Sequence, residues 1–234
     1  MGEQVNWRKY LLEFFSIFIG ISVAFALQKW NEDRRDRRAE EKTLLEIKNG
    51  LQQDIIDIEG NIKGHLTGLS ACNYFRKLIK GRPVAKDSIA DQYYFLLRDY
   101  ISIQNKTGYE SLKSKGLELI RNDSLRFSII SVYDIQYEIL EKLEEQYNEM
   151  QFNRNYYKPI NDLLSPHMIF DEKGLLIDIK SPELSVPERR EFLSYLWRIE
   201  NNRRYVLKFY NYVQEEVKQL VEEIERSTET STDF

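Results

Sequence analysis

The sequence predicts an all-α protein, with an N-terminal transmembrane helix followed by an elongated antiparallel helical bundle carrying a small β-hairpin insertion. Three observations predict it. Tyr10–Trp30 is a 21-residue apolar stretch with few charges. Beyond it, apolar residues recur at alternating spacings of three and four, the period of helices packed along a seam. Between residues 158 and 186, Pro159, Pro166 and Pro182 bracket two short apolar runs that read as a hairpin. The chain divides into a tail (1–9), the membrane helix (10–30), a charged helix (31–43), the bundle (44–226) and a polar tail expected to be disordered (227–234).

A spanning helix needs about 20 mostly apolar residues. Tyr10–Trp30 meets that length, and Tyr10 and Trp30 bracket it as interfacial aromatics do. A cleaved signal peptide needs a small-residue site. Here Ala24-Phe25-Ala26 runs into Leu27, Gln28 and Lys29, so the stretch reads as an uncleaved anchor. On a helix, Gly20, Ala24, Leu27 and Asn31 fall within about 40° of Glu13, with Ser16 beside them. Ser16, Gly20 and Ala24 form a small-residue line that lets helix backbones approach closely in lipid. Glu13 shares that face. It either reaches the interface one turn away or faces a water-filled axis between associated helices.

Lys and Arg set orientation. Arg8 and Lys9 precede the stretch, and Lys29, Arg34, Arg35, Arg37, Arg38 and Lys42 follow it. The excess places the large domain in the cytoplasm. The alternative, from a short N-terminal tail with two basic residues, is periplasmic. Arg34, Arg35, Arg37 and Arg38 abut the membrane and are expected to touch anionic head groups. The net charge of −4 gives no electrostatic support for nucleic-acid binding. The single cysteine, Cys72, excludes an intrachain disulfide.

From Leu44 a seam runs through Ile47, Leu51, Ile55, Ile58, Ile62, His65, Leu69 and Cys72, in one helix over about 32–80 that is open to continuing from the membrane helix. Gly50, Gly60, Gly64 and Gly68 weaken this helix or mark close approach. His65 and Cys72 share a face two turns apart, but no third ligand completes a metal spacing. A second helix is expected from Ile89 to about Gln104. A short one follows over Tyr109–Lys115, with Thr107 and Glu110 as a capping box. A long helix runs from Ser124 to about Tyr157, capped by Asn122 or Asp123 and closed by Pro159. Its seam is Leu125, Ile129, Val132, Gln136, Ile139, Leu143, Tyr147 and Met150. The last helix starts at Pro187, with Ser185 as a cap, and ends near Arg226. Its seam of Phe192, Leu196, Ile199, Val206, Tyr210, Val213, Val217, Leu220 and Ile224 is interrupted only by Arg203.

Two blocks carry a resemblance. The first holds Glu13, Gly20, Ile21, Ala26, Leu27, Gln28, Trp30, Asn31 and Glu32. The second holds Tyr109, Glu110, Ser111, Leu112, Lys113, Ser114, Gly116, Leu119, Ile120, Asn122, Leu125 and Arg126. Together they resemble a family of single-pass membrane proteins of unknown function from Gram-negative gliding-type bacteria. The resemblance implies an anchored helical domain and brings no catalytic residues. The expected location is the bacterial inner membrane. In the second block, Tyr109, Lys113, Lys115 and Arg121 read either as a partner surface or as a structural turn between helices.

No phosphate loop, His-Glu-x-x-His, paired Cys-x-x-Cys or nucleophile elbow is present. No catalytic, cofactor or metal residues are assigned, and the chain is not expected to be an enzyme. The expected role is a membrane-anchored, homo-oligomeric scaffold or accessory protein, with lipids, further copies and a protein partner as its contacts. The alternative is a small oligomeric channel or sensor whose membrane helices pack around an axis near Glu13.

Overall fold

A computed structural model describes residues 7–180 and 183–232 of the chain. Most of the expected N-terminal tail lies outside the described residues. Helix α1, Trp7–Ile79, runs unbroken for 73 residues, about 110 Å at 1.5 Å per residue. It is one rod with two environments. Every side chain from Tyr10 to Arg38 is exposed, and burial begins at Thr43 and Leu44. The expected helices at 10–30 and 32–80 are therefore a single element.

The buried side of α1 corrects the expected seam. Leu44, Ile47, Leu51, Asp54, Ile58, Asn61, His65, Gly68, Cys72 and Phe75 point inward. This is an unbroken three–four alternation, but Asp54 and Asn61 replace the expected Ile55 and Ile62, which are half-buried. Polar residues occupy the seam because the chain they face is not helical. Helix α2, Ile89–Leu96, stops well short of Gln104, and residues 97–106 cross α1 as an irregular connection. Its backbone polar groups need partners, and α1 supplies them. Asp54 Oδ1 accepts the Asn105 N–H (2.7 Å), Asp57 Oδ2 accepts the Ile103 N–H (3.2 Å), and Asn61 donates to the Ile101 carbonyl (3.0 Å).

Helix α3, Thr107–Lys115, forms as expected but without the capping box; Glu110 pairs instead with Lys113 at 2.7 Å. The expected long helix from Ser124 is three helices. Helix α4 (Asp123–Ser131) passes through a π-helical turn, Val132–Gln136, into α5 (Tyr137–Glu141). A second π turn, Lys142–Gln146, leads to a break before α6, Phe152–Leu164. A π turn inserts an extra residue into the helical period. The inward positions consequently advance to Tyr137, Leu140 and Glu144, leaving the expected Ile139 and Leu143 half-buried and Tyr147 exposed. Pro159 sits inside α6 rather than ending the previous helix. Asp99 caps the new helix from the connection, accepting the N–H groups of Phe152 (2.7 Å) and Asn153 (3.3 Å).

The hairpin is present. Strand β1, Met168–Phe170, pairs antiparallel with β2, Leu176–Ile179, and Ile179 is buried. Helix α7, Val186–Thr232, is 47 residues long and runs antiparallel to α1. Lys48 meets Glu225 (3.5 Å), Glu59 meets Lys218 (3.5 Å), and Arg76 pairs with Glu200. All ten positions of its expected seam are buried, Arg203 included. Ser185 and Glu188 cap its start reciprocally. The tail expected to be disordered from residue 227 is helical through Thr232, because Ile224 still packs on the bundle and the helix continues past it.

Candidate functional site: a buried Arg-His-Glu cluster

The polar seam culminates where α1, α7, the 97–106 connection and the second π turn meet. Arg203 of α7 is fully buried. Its Nη2 donates to the carbonyls of Phe95 (3.2 Å) and Leu96 (3.1 Å) at the end of α2 and of Arg98 (2.8 Å) just beyond it. The guanidinium lies 4.3 Å from the Phe152 ring centroid. Its Nη1 meets His65 Nδ1 at 3.2 Å, and His65 Nε2 meets Glu144 Oε1 at 2.9 Å.

That geometry sets the protonation of His65. Arginine only donates, so Nδ1 must accept. The ring is therefore neutral and carries its proton on Nε2, which donates to the Glu144 carboxylate. Burial holds the His65 pKa below its ordinary 6.5, against the opposing pull of Glu144. The Tyr100 and Tyr210 rings sandwich the imidazole at 4.9 and 5.6 Å. Gly64 and Gly68 make the room: a Cβ at Gly64 would overlap the Tyr100 ring, and one at Gly68 would overlap the Arg203 guanidinium. Among the described residues, the Tyr100 hydroxyl and Arg203 Nε find no hydrogen-bond partner.

A second layer lies toward the start of the bundle. Asp54 Oδ2 accepts the Tyr137 hydroxyl at 2.7 Å. Tyr133 stacks on Tyr109 with centroids 4.5 Å apart, and Tyr109 donates to Asp134 of the first π turn at 2.7 Å. Burial raises the pKa of Asp54, with hydrogen bonds from Tyr137 and Asn105 opposing it. Burial likewise raises Asp99. The Cys72 thiol is pushed up to about 12 by burial, so it is not an activated nucleophile. Among the described residues no group of three His, Cys, Asp or Glu side chains is arranged to hold a metal ion. The cluster is enclosed by the bundle: its chemistry is to hold a charge pair and a proton.

The residues singled out in the sequence lie elsewhere. Glu13, Ser16, Gly20, Ala24, Leu27 and Asn31 lie along the exposed half of α1, and a Cβ at Gly20 would meet nothing within 4 Å. Arg34, Arg35, Arg37 and Arg38 are exposed too, with Arg34 5.7 Å from the Trp30 ring. Tyr109, Lys113, Lys115 and Arg121 are largely committed within the chain. Tyr109 is buried, Lys113 lies over its ring at 4.8 Å, and Lys115 donates to Thr43 Oγ1 at 3.1 Å. The backbone N–H of Arg121 donates to Glu40 Oε1 (2.8 Å), and its guanidinium donates to the Asp33 carbonyl (3.1 Å). This block ties the charged stretch of α1 to the bundle. The His65–Glu144–Arg203 cluster itself went unread: Glu144 reaches the core only through the π turns, and Arg203 was visible only as a break in a clean seam.

No family model, curated protein or solved structure matches the chain.

Proposed function

We propose that the chain is a membrane-anchored, homo-oligomeric interaction protein, a scaffold or accessory subunit whose helical domain stands on a single spanning helix. The observation that supports this most is the exposure of α1: its strongly apolar 18-residue window is 0% buried by the rest of the protein. A soluble bundle would cover such a face. Leu11, Leu12, Phe14, Phe15, Ile17, Phe18, Ile19 and Ile21 are instead all exposed on one helix, an apolar surface that water disfavours and a bilayer accepts. The basic residues 34–38 then lie at the head groups, with the domain in the cytoplasm by the Lys/Arg excess. The small-residue line through Gly20 supplies the contact between copies.

Flotation with liposomes tests the anchor. The full chain should float with vesicles and stay bound through alkaline carbonate washing, and an Ile17→Asp/Ile21→Asp variant should lose that resistance. A wild-type chain that carbonate releases contradicts the anchor.

A further inference from the structure

The Arg203–His65–Glu144 chain depends on one lone pair. His65 Nδ1 accepts from Arg203 only while the ring is neutral. The groups facing it come from every packed element. Glu144 comes from the second π turn, and Arg203 and Tyr210 from α7. Asp99 and Tyr100 come from the connection, and Cys72 of α1 lies near Arg203. At neutral pH the cluster holds one cation, Arg203, against the carboxylates of Glu144 and Asp99. A second cation on His65 would sit beside Arg203 in a fully buried, low-dielectric site. Arg203 already has one donor, Nε, without an acceptor.

We propose that this cluster is a proton-operated latch on the 97–106 connection. Protonation of His65 turns Nδ1 from acceptor into donor, so the hydrogen bond from Arg203 cannot survive. Arg203 then carries two unsatisfied donors and faces a like charge. Its grip on the Arg98 carbonyl joins the connection to α7, and its bonds to the Phe95 and Leu96 carbonyls hold the end of α2 from which the connection leaves. When the guanidinium moves, the connection and the Asp99 cap on α6 loosen together. Acidification adds a proton on His65, and that step removes the balance that holds Arg203. Gly64 and Gly68 keep the device tight, since they allow Tyr100 and Arg203 to lie directly on α1.

Hydrogen exchange on the full chain in nanodiscs tests the latch, read at the amides of residues 97–106 and corrected for intrinsic exchange. As pH is taken from 7.5 to well below 6.5, protection in this segment should fall about tenfold, while the ends of the α1–α7 pairing near Lys48 stay protected. His65→Gln keeps one acceptor and one donor and does not titrate, so it should lose much less protection than the wild type over the same interval. An equal loss in His65→Gln would assign the effect to Asp54 and Asp57, which hold the Asn105 and Ile103 amides, and would overturn the proposal. So would a wild type that shows no loss. If His65→Gln does not fold, the ring nitrogens of selectively labelled histidine decide. They should show an Nε2-protonated neutral ring at pH 7.5, and should titrate over the same interval in which protection falls. Loss of protection around a ring that stays neutral would overturn the latch equally.

Discussion

Arg203 is the residue on which the core turns, because a buried guanidinium is tolerable only with its acceptors in place. Removing it leaves His65 Nδ1 and three carbonyls without their donor and takes the cation away from the Glu144 side of the cluster. Arg203→Met is expected to destabilise the folded chain by about 3–5 kcal/mol, measured as a shift in the urea midpoint in mild detergent. Two glycines make a paired test. At Gly68 a Cβ overlaps the pinned guanidinium, so Gly68→Ala should cost about 1–3 kcal/mol through overpacking, despite its better helix propensity. At Gly60 nothing lies within 4 Å, so Gly60→Ala should stabilise by up to about 1 kcal/mol. The sign for His65 follows from its lowered pKa. Below pH 6.5 the unfolded chain binds the proton that the folded chain resists, so stability is full above 6.5 and falls as pH drops toward the folded value. Asp54, Asp57 and Asp99, raised above 3.8 chiefly by burial, act in the opposite sense. They favour the folded chain at low pH and lose that contribution as pH rises through their folded values. The difference between wild type and His65→Gln removes those shared contributions. It should shrink from pH 7 to 5.5 in urea titrations; a constant difference would mean that His65 is not held neutral by the fold.

At the scale of elements, what was legible followed from regular periods. The α7 seam was readable in full because ten positions keep one heptad alternation, and even its exception, Arg203, occupies a true seam position. The hairpin was readable from its turn residues, and Asp171 does organise that turn, accepting the N–H groups of Lys173 and Leu175 at 2.9 and 2.8 Å. The α1 seam was misread at Asp54 and Asn61, because hydrophobicity draws the eye to Ile55 and Ile62. What decides the phase is the irregular connection, whose amides and carbonyls need polar partners. The α4–α6 region was misread because a π turn leaves no mark in a 3.6-residue pattern. Its consequence, Glu144 turned inward, is the part of the candidate site that no spacing argument reaches. Local caps are simpler. Asn122 accepts the Leu125 N–H at 3.2 Å at the start of α4, and Asn122→Ala should lower the unfolding free energy by about 1 kcal/mol without altering the His65 titration.

For the molecule as a whole, the continuity of α1 is the organising fact. One helix carries an apolar, uncovered half and a half that contributes the polar seam, and Arg121 fastens the junction through Glu40 and Asp33. A rigid rod of this kind fixes the bundle relative to whatever holds residues 10–30. With the apolar half in a bilayer, the face of Glu13, Ser16, Gly20, Ala24, Leu27 and Asn31 is free to meet another copy, since none of the described residues covers it. The mass of the full-length protein in nanodiscs or mild detergent, by light scattering, tests this account most directly. It should be a defined multiple of the 28.0 kDa chain that falls to one copy with Gly20→Leu while the helical signal is unchanged. A monomeric wild type, or an oligomer indifferent to Gly20→Leu, would contradict association through the membrane helix.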